Sequence, residues 1–335
     1  MQFGLHVHGM MATDTPPDSN FERLVASARL AGKAGFDLLW VGHHFLLEDR
    51  QKFQPVPTIA RLAAEVPNLH VAANVILPLH HPVVIAEQFA TIDALSGGKA
   101  ILSPIQGYRR AEFEGLGVPR DERATRLEEA VAVIEKLWTE DSVDFRGEHF
   151  TLSNATITPK PVQTPRPPIW IGANTDRAVR RAADLGDAWL INPHETEETI
   201  ARQLDLIDAP GGEGYHGVQP ILRNVFVAET DRRAVEIFGP AVQDHFDWYR
   251  GEGQADATEN PEEFELRFSE LREERFLIGS PETVADDIVR LHDALGIDCL
   301  VASIHRPGID HEHVCEAIRL MGEVVVPEVQ RRTTA

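Results

Sequence analysis

Lysine is scarce in this chain: of 32 basic residues only five are Lys (Lys33, Lys52, Lys99, Lys136 and Lys160) and the rest are Arg. Asp and Glu outnumber the bases at 53, for a net charge of −21. A surface for nucleic-acid phosphates needs clustered cations, so nucleic acid is disfavoured as a partner. A basic helix lying on a membrane is disfavoured for the same reason. Cysteine is limited to Cys299 and Cys315, too few for a disulfide framework or a zinc cluster. No stretch approaches the roughly 20 apolar residues of a membrane span. Met1 runs straight into a strand pattern at Phe3–Val7 without the basic start of a signal peptide. The expectation is a soluble, cytoplasmic protein.

Two further absences narrow the fold. The hydrophobic fraction, 43%, fills a sizeable core, so global disorder is excluded. No Gly-rich phosphate loop follows the first strand, as an open dinucleotide-binding sheet would usually show. The acid excess with little Lys keeps a surface hydrated and self-repelling, which points to a halophile's salt-adapted cytoplasm. A GC-rich genome explains the Arg bias but not the excess of acid.

Short apolar runs alternate with segments of helical period. The strand candidates are 3–7, 38–41, 71–77, 100–105, 169–171, 188–191, 222–228 and 298–302. Between them lie helical patterns at 21–34, 83–95, 123–137, 176–185, 195–207, 233–249, 281–295 and 311–321. Alternation of this kind demands a parallel sheet covered by helices. Eight repeats predict a closed (β/α)8 TIM barrel, a single domain over 1–335. Insertions are expected after strands 4 and 7. The first, 142–168, reads as a hairpin (143–145 with 150–152) followed by an extended Pro-rich strap, because Pro fixes φ and forbids helix. The second, 251–263, is polar and Gly-rich and reads as a mobile loop or lid.

Reactive groups of such a barrel gather where its strands end. There stand His6 and His8, His43 and His44, Asn74, then Gln106-Gly107-Tyr108-Arg109-Arg110, then Gly172-Ala173-Asn174-Thr175-Asp176-Arg177. The last segment turns through small residues into a helix whose first N–H groups lack intrahelical partners, which suits an anion. Thr175 adds a hydroxyl and Arg177 a guanidinium, so a phosphate fits; ordinary capping by Asn174 or Thr175, with Arg177 paired to a neighbouring carboxylate, explains the same residues and is the commoner arrangement. The paired histidines invite a metal, and His-x-His at the first strand is similar to metal-dependent amidohydrolases. No Lys ends the fourth strand and no His the fifth or sixth, so no metal site is expected. His80 and His81 read as loop residues.

Taken together, several segments resemble the bacterial luciferase-like flavin monooxygenases. They are Gly35-Phe36-Asp37-Leu38-Leu39-Trp40 with His43-His44-Phe45, Leu77-Pro78-Leu79-His80-His81-Pro82, Ser96-Gly97-Gly98-Lys99-Ala100, Gly107-Tyr108-Arg109-Arg110-Ala111-Glu112-Phe113, and Pro168-Ile169-Trp170-Ile171-Gly172-Ala173-Asn174 with Gly186-Asp187-Ala188-Trp189. Their order and spacing span most of the chain. The resemblance implies reduced FMN supplied by a separate flavin reductase, O2, and a small-molecule substrate that is oxidised. It implies phosphate near Gly172, Ala173, Asn174, Thr175 and Arg177, with Gln106 and Tyr108 around the cofactor. The isoalloxazine would lie across Ala73 and Asn74, where the family often has a non-proline cis peptide, expected here at Ala73–Asn74 or, failing that, Asn74–Val75. His43 would exchange protons with the reacting groups, with His44 as the alternative. Gly42 stands where the family often has Glu, and luciferase's Arg and Cys are replaced by Gln106 and Ile105, so light emission is not implied. Coenzyme F420-dependent hydride transfer and flavin binding without turnover are the rival readings. A homodimer is the family expectation.

Overall fold

The computed structural model describes residues 1–7, 10–207, 218–268, 270 and 275–333; His8 lies outside them. Thirteen described strands are β1 Gln2–His6, β2 Met10–Ala12, β3 Leu38–Val41, β4 Arg50–Lys52, β5 His70–Ile76, β6 Ala100–Ile105, β7 Val143–Arg146, β8 Thr151–Ala155, β9 Trp170–Ala173, β10 Ala188–Ile191, β11 Pro220–Val227, β12 Phe276–Gly279 and β13 Cys299–Ser303. Eight of them form one parallel ring in the order β6-β5-β3-β1-β13-β11-β10-β9. The ring closes where Leu102 bridges Ile169, with Leu102 N–H donating to Pro168 O at 3.0 Å. This is the eight-stranded barrel that the alternation predicts.

Ring strands read as unbroken apolar runs because both faces are buried. Leu38, Trp40, Ala72, Ile101, Trp170, Leu190, Leu222 and Val301 pack inside the ring. Their neighbours Leu39, Val41, Val71, Ala73 and Ile171 pack outward against the helices. Period two therefore decides which residues reach the cavity above the ring. Cys299 is an interior strand residue whose thiol pKa is pushed up by burial.

The sequence pattern missed β2, β4 and β12 and the helices Pro55–Glu65, Arg110–Leu116 and Val326–Thr333. The helix Pro55–Glu65 starts on prolines, which fit a first turn because its N–H groups lack helical partners anyway. The four-residue β12 pairs with the outer half of β11, from Asn224 to Val227.

The first insertion is the expected hairpin, β7 against β8, followed by the strap. Buried Asp93 anchors the strap beneath the ring: its carboxylate accepts from Val162 N at 2.7 Å, Gln163 N at 2.9 Å and Gln163 Nε2 at 2.7 Å. The second insertion folds into two short 3-10 turns, Ala255–Ala257 and Pro261–Glu265. The lid expectation gains a contact here, since Asn174 Nδ2 donates to Ala257 O at 3.1 Å. No described helix is long and apolar enough to cross a membrane.

Candidate active site

An open cavity lies over the C-terminal ends of the strands. Of the residues singled out from sequence, His43, His44, Asn74, Gln106, Tyr108, Gly172, Ala173, Asn174 and Thr175 line it. Two do not. Ala73 is fully buried and faces the helix layer, because strand alternation sends its neighbour Asn74 inward. Arg177 is exposed and contributes nothing to the cavity wall.

The peptide expected to be cis, Ala73–Asn74, is trans, and so is its alternative, Asn74–Val75; the cis bonds among the described residues precede Pro159 and Pro165. β5 runs unbroken through both residues, paired with β6 from Val71 to Ile76 and with β3 as far as Ala73. Such a ladder on both sides requires regular extended backbone. Asn74 Oδ1 instead accepts from Ser103 Oγ at 2.7 Å.

The two histidines differ in what their nitrogens do. Ile76 N–H donates to His43 Nδ1 at 3.2 Å, so the ring proton sits on Nε2 and is donated to Gln54 Oε1 at 3.0 Å. Gln54 Nε2 in turn donates to His44 O at 3.0 Å, which fixes the amide's orientation. Both His43 nitrogens are thus occupied, and burial holds its pKa well below the usual histidine value. His44 has one nitrogen bound: Nδ1 lies 3.1 Å from Glu112 Oε1. Glu112 is fully buried, and the same oxygen accepts from Phe45 N at 2.9 Å. Arg109 Nη1 also reaches it at 3.4 Å and donates to Phe45 O at 2.7 Å. A carboxylate so placed accepts a hydrogen bond from Nδ1–H, holds the ring proton there and leaves Nε2 as the basic nitrogen. Burial lowers the His44 pKa while Glu112 partly restores it, so the ring is neutral and ready to accept a proton.

Across the cavity, Gly172 lies where β9 meets β6; a Cβ there would stand 2.8 Å from Ile105 Cγ2, so only glycine lets the strands close. The helix Asp176–Leu185 begins at Thr175, whose side chain caps nothing and makes no hydrogen bond among the described residues. Asn174 is already engaged, accepting from Asn192 Nδ2 at 2.5 Å. The N–H of Asp176 is taken by the carboxylate of Glu259 from the second insertion. Capping by Asn174 or Thr175 therefore does not occur.

Arg123, to which the sequence reading gave no site role, lines the cavity together with Tyr108 and Thr175. It is the first residue of the helix Arg123–Thr139, where a cation opposes the helix dipole. Its Nη1 donates to Arg120 O at 2.9 Å, and burial with the Arg120 and Arg181 charges lowers its pKa. A guanidinium so placed favours an arriving anion. Tyr108 Oη is buried without a partner among the described residues, and burial raises its pKa, so it stays a protonated donor. Glu112 and Arg109 were visible in the loop motif, but nothing in their spacing announced a buried pair.

A cavity at the strand ends of a TIM barrel, lined by an imidazole paired with a buried carboxylate, is the kind of place where enzyme chemistry is found. Residues 1–298 match the luciferase-like monooxygenase family, and the chain belongs to it. It is 29% identical over 324 residues to the FMNH2-dependent dimethylsulfone monooxygenase of Pseudomonas putida, covering 90% of this chain and 86% of that protein. It is 26% identical over 322 residues to the F420-dependent glucose-6-phosphate dehydrogenase of Microbacterium testaceum, covering 90% and 92%. In fold it matches the oxygenating constituent of 3,6-diketocamphane monooxygenase from Pseudomonas putida, solved with FMN, at a TM-score of 0.80 and 19% identity over 98% and 99% of the chains.

Proposed function

We propose that the protein is the oxygenase component of a flavin-dependent monooxygenase, using reduced FMN from a separate reductase and O2 to oxidise a small organic molecule. One observation carries this reading: the His44–Glu112 pair and the Thr175–Arg123 donors share one cavity. The residues fit the cofactor. The open Thr175 hydroxyl, the Arg123 guanidinium and the unpartnered Tyr108 hydroxyl offer donors to a phosphate and its sugar chain. Asn74 and Gln106 line the wall where the ring system would rest. When bound, the reduced flavin supplies the electrons that activate oxygen.

His44 does the proton work. Glu112 fixes its tautomer, so Nε2 accepts a proton from the reacting group and returns it later. His43 is a positioning residue that ties the end of β5 to Gln54.

Fluorescence quenching with FMN, riboflavin and coenzyme F420, combined with O2 uptake, tests the proposal. Arg123→Ala is expected to weaken FMN by about tenfold or more while leaving riboflavin nearly unchanged, since only FMN carries the charged group. Arg177→Ala should leave both alone. His44→Ala should keep FMN affinity and slow turnover by roughly a hundredfold or more. Equal weakening of FMN and riboflavin by Arg123→Ala would place the phosphate elsewhere. F420-dependent relatives of similar coverage support a second reading, hydride transfer from coenzyme F420; tight F420 binding without O2 uptake would establish it. Flavin binding with no turnover under any condition would identify a binding protein.

A further inference from the structure

The second insertion is fastened near its start as well as at its end. The helix Asp231–Gly251 stops before Gly253, whose φ of +80° suits a residue without a Cβ. Gly253 N–H donates to Arg250 O at 3.3 Å and Gln254 N–H to Tyr249 O at 3.0 Å, the paired bonds that close a helix on a left-handed glycine. The closure holds Glu252 in the turn from Tyr249 to Gln254, two residues that line the cavity. There the Glu252 carboxylate accepts from Arg109 Nε at 2.5 Å. At the other end, Glu259 N–H donates to Glu195 Oε1 at 3.2 Å and Asn260 Nδ2 to Thr199 Oγ1 at 3.0 Å.

Arg109 is buried and stands between two carboxylates. Its Nη1 donates to Phe45 O at 2.7 Å and meets Glu112 Oε1 only at 3.4 Å, whereas its Nε faces Glu252. That Glu112 oxygen also serves His44 Nδ1 at 3.1 Å and Phe45 N–H at 2.9 Å. Glu112 Oε2 is buried and makes no hydrogen bond among the described residues. The carboxylate therefore has an open place for the second arm of a guanidinium fork, and Arg109 does not take it. Burial works against the Arg109 charge, but Glu252 and then Glu112 more than offset it. For His44, burial lowers the pKa most, Glu112 raises it, and the Lys52 and Arg109 charges lower it. Other titratable groups facing His44 are His43, Tyr108 and, from the helix Asp231–Gly251, His245. A change of charge at Glu252 alone leaves all of these in place.

Resting on the flavin reading above for the reaction that is served, we propose that Glu252 is a positioning residue for proton transfer: by engaging Arg109 Nε it keeps the guanidinium off Glu112 and leaves that carboxylate to His44. Without a charge at position 252, Arg109 is free to grip both oxygens of Glu112, since a planar fork on a carboxylate is stronger than a single contact. Glu112 then supports the imidazole less, and His44 Nε2 becomes a weaker base. The second insertion thus carries a residue of the proton machinery, 143 positions along the chain from the arginine it holds.

The test is Glu252→Gln, which keeps the shape of the side chain and removes its charge. The readout is the ring-nitrogen NMR titration of His44 in the full chain without flavin, its signals identified by their loss in His44→Ala. The His44 midpoint is expected to fall by about half a pH unit or more, and O2 uptake with reduced FMN to slow by about threefold or more. Glu252→Asp keeps the charge and should retain most of the wild-type midpoint. Glu252→Ala should lower the midpoint as Glu252→Gln does, so either neutral variant decides if the other does not fold. A midpoint that stays or rises in the neutral variants would overturn the proposal. Slower O2 uptake with an unmoved midpoint would do the same, leaving Glu252 as a fastening of the insertion only. An equal fall in Glu252→Asp would overturn it too, because length rather than charge would then matter. Should the midpoint fall as expected while the protein binds no FMN, the flavin reading alone fails, since the titration needs no flavin.

Discussion

His43 and His44 are adjacent in sequence and alike in chemistry, yet a 3.1 Å contact to Glu112 gives one a free basic nitrogen while Gln54 and Ile76 N–H occupy the other's two. The histidine pair was legible because it follows a strand end. Which member is poised was not, since Glu112 lies 68 residues away in the chain. Ala73 and Arg177 failed for a related reason: proximity to a strand end or helix start does not state which way a side chain faces. Buried histidines also predict acid lability. Burial, followed by nearby Arg charges, pushes His194 and His305 down to about 3. These values lie below the unfolded value of about 6.5, so the native state binds fewer protons than the unfolded chain. Their contribution is intact above pH 6.5 and lost as pH falls towards 3; at pH 5 each costs roughly 2 kcal/mol. Approach to the pI of about 5.1 relieves self-repulsion and acts the other way. In 1 M KCl, where that repulsion is screened, the melting temperature should fall steeply between pH 6.5 and 5; a flat profile would contradict the assignment.

At the level of elements, alternation of apolar runs with helical periods was enough to place the eight ring strands, because a parallel ring buries both faces of each strand. It failed at β12, which is no shorter than β3 or β10 but joins the ring only as a side partner of β11, and at the helix beginning on Pro55. The strap was legible as extended chain from its prolines, but its anchor was not. Asp93 reads as one more polar residue of the helix Pro82–Ser96, and folding alone brings it beneath Val162 and Gln163. Removing it leaves several buried N–H groups unsatisfied. Asp93→Ala is expected to destabilise the protein by about 3–5 kcal/mol, measured as a lower urea midpoint, and to expose 156–168 to protease. An unchanged midpoint would mean that the strap is held by its other contacts, chiefly Arg166 with Asp187 and Glu135.

For the whole molecule, the dominant quantity is a net charge of −21. Surface ion pairs such as Arg319 with Glu316 and Glu323 are each worth at most about 1 kcal/mol and weaken in salt. Repulsion among the uncompensated carboxylates weakens as well, since screening shortens from about 10 Å at 0.1 M to about 3 Å at 1 M. With acids so far in excess, relief of repulsion should win. The melting temperature is expected to rise by about 5 °C or more between 0.1 and 2 M KCl, with sucrose giving much less; a fall would show that the ion pairs dominate.

The ring is also unevenly stitched. β9 and β10 pair with each other through four residues, yet β9 meets β6 through the bridge Leu102–Ile169 and β10 meets β11 through Ile191–Ile221. These two strands thus form a stave with loose seams on either edge, and it is the stave that ends in Gly172–Thr175. Breathing of the barrel should begin there, so deuterium should enter the amides of Trp170–Ala173 and Ala188–Ile191 before those of β5. A ligand gripped at the stave's tip would close both seams at once, far from any atom it touches.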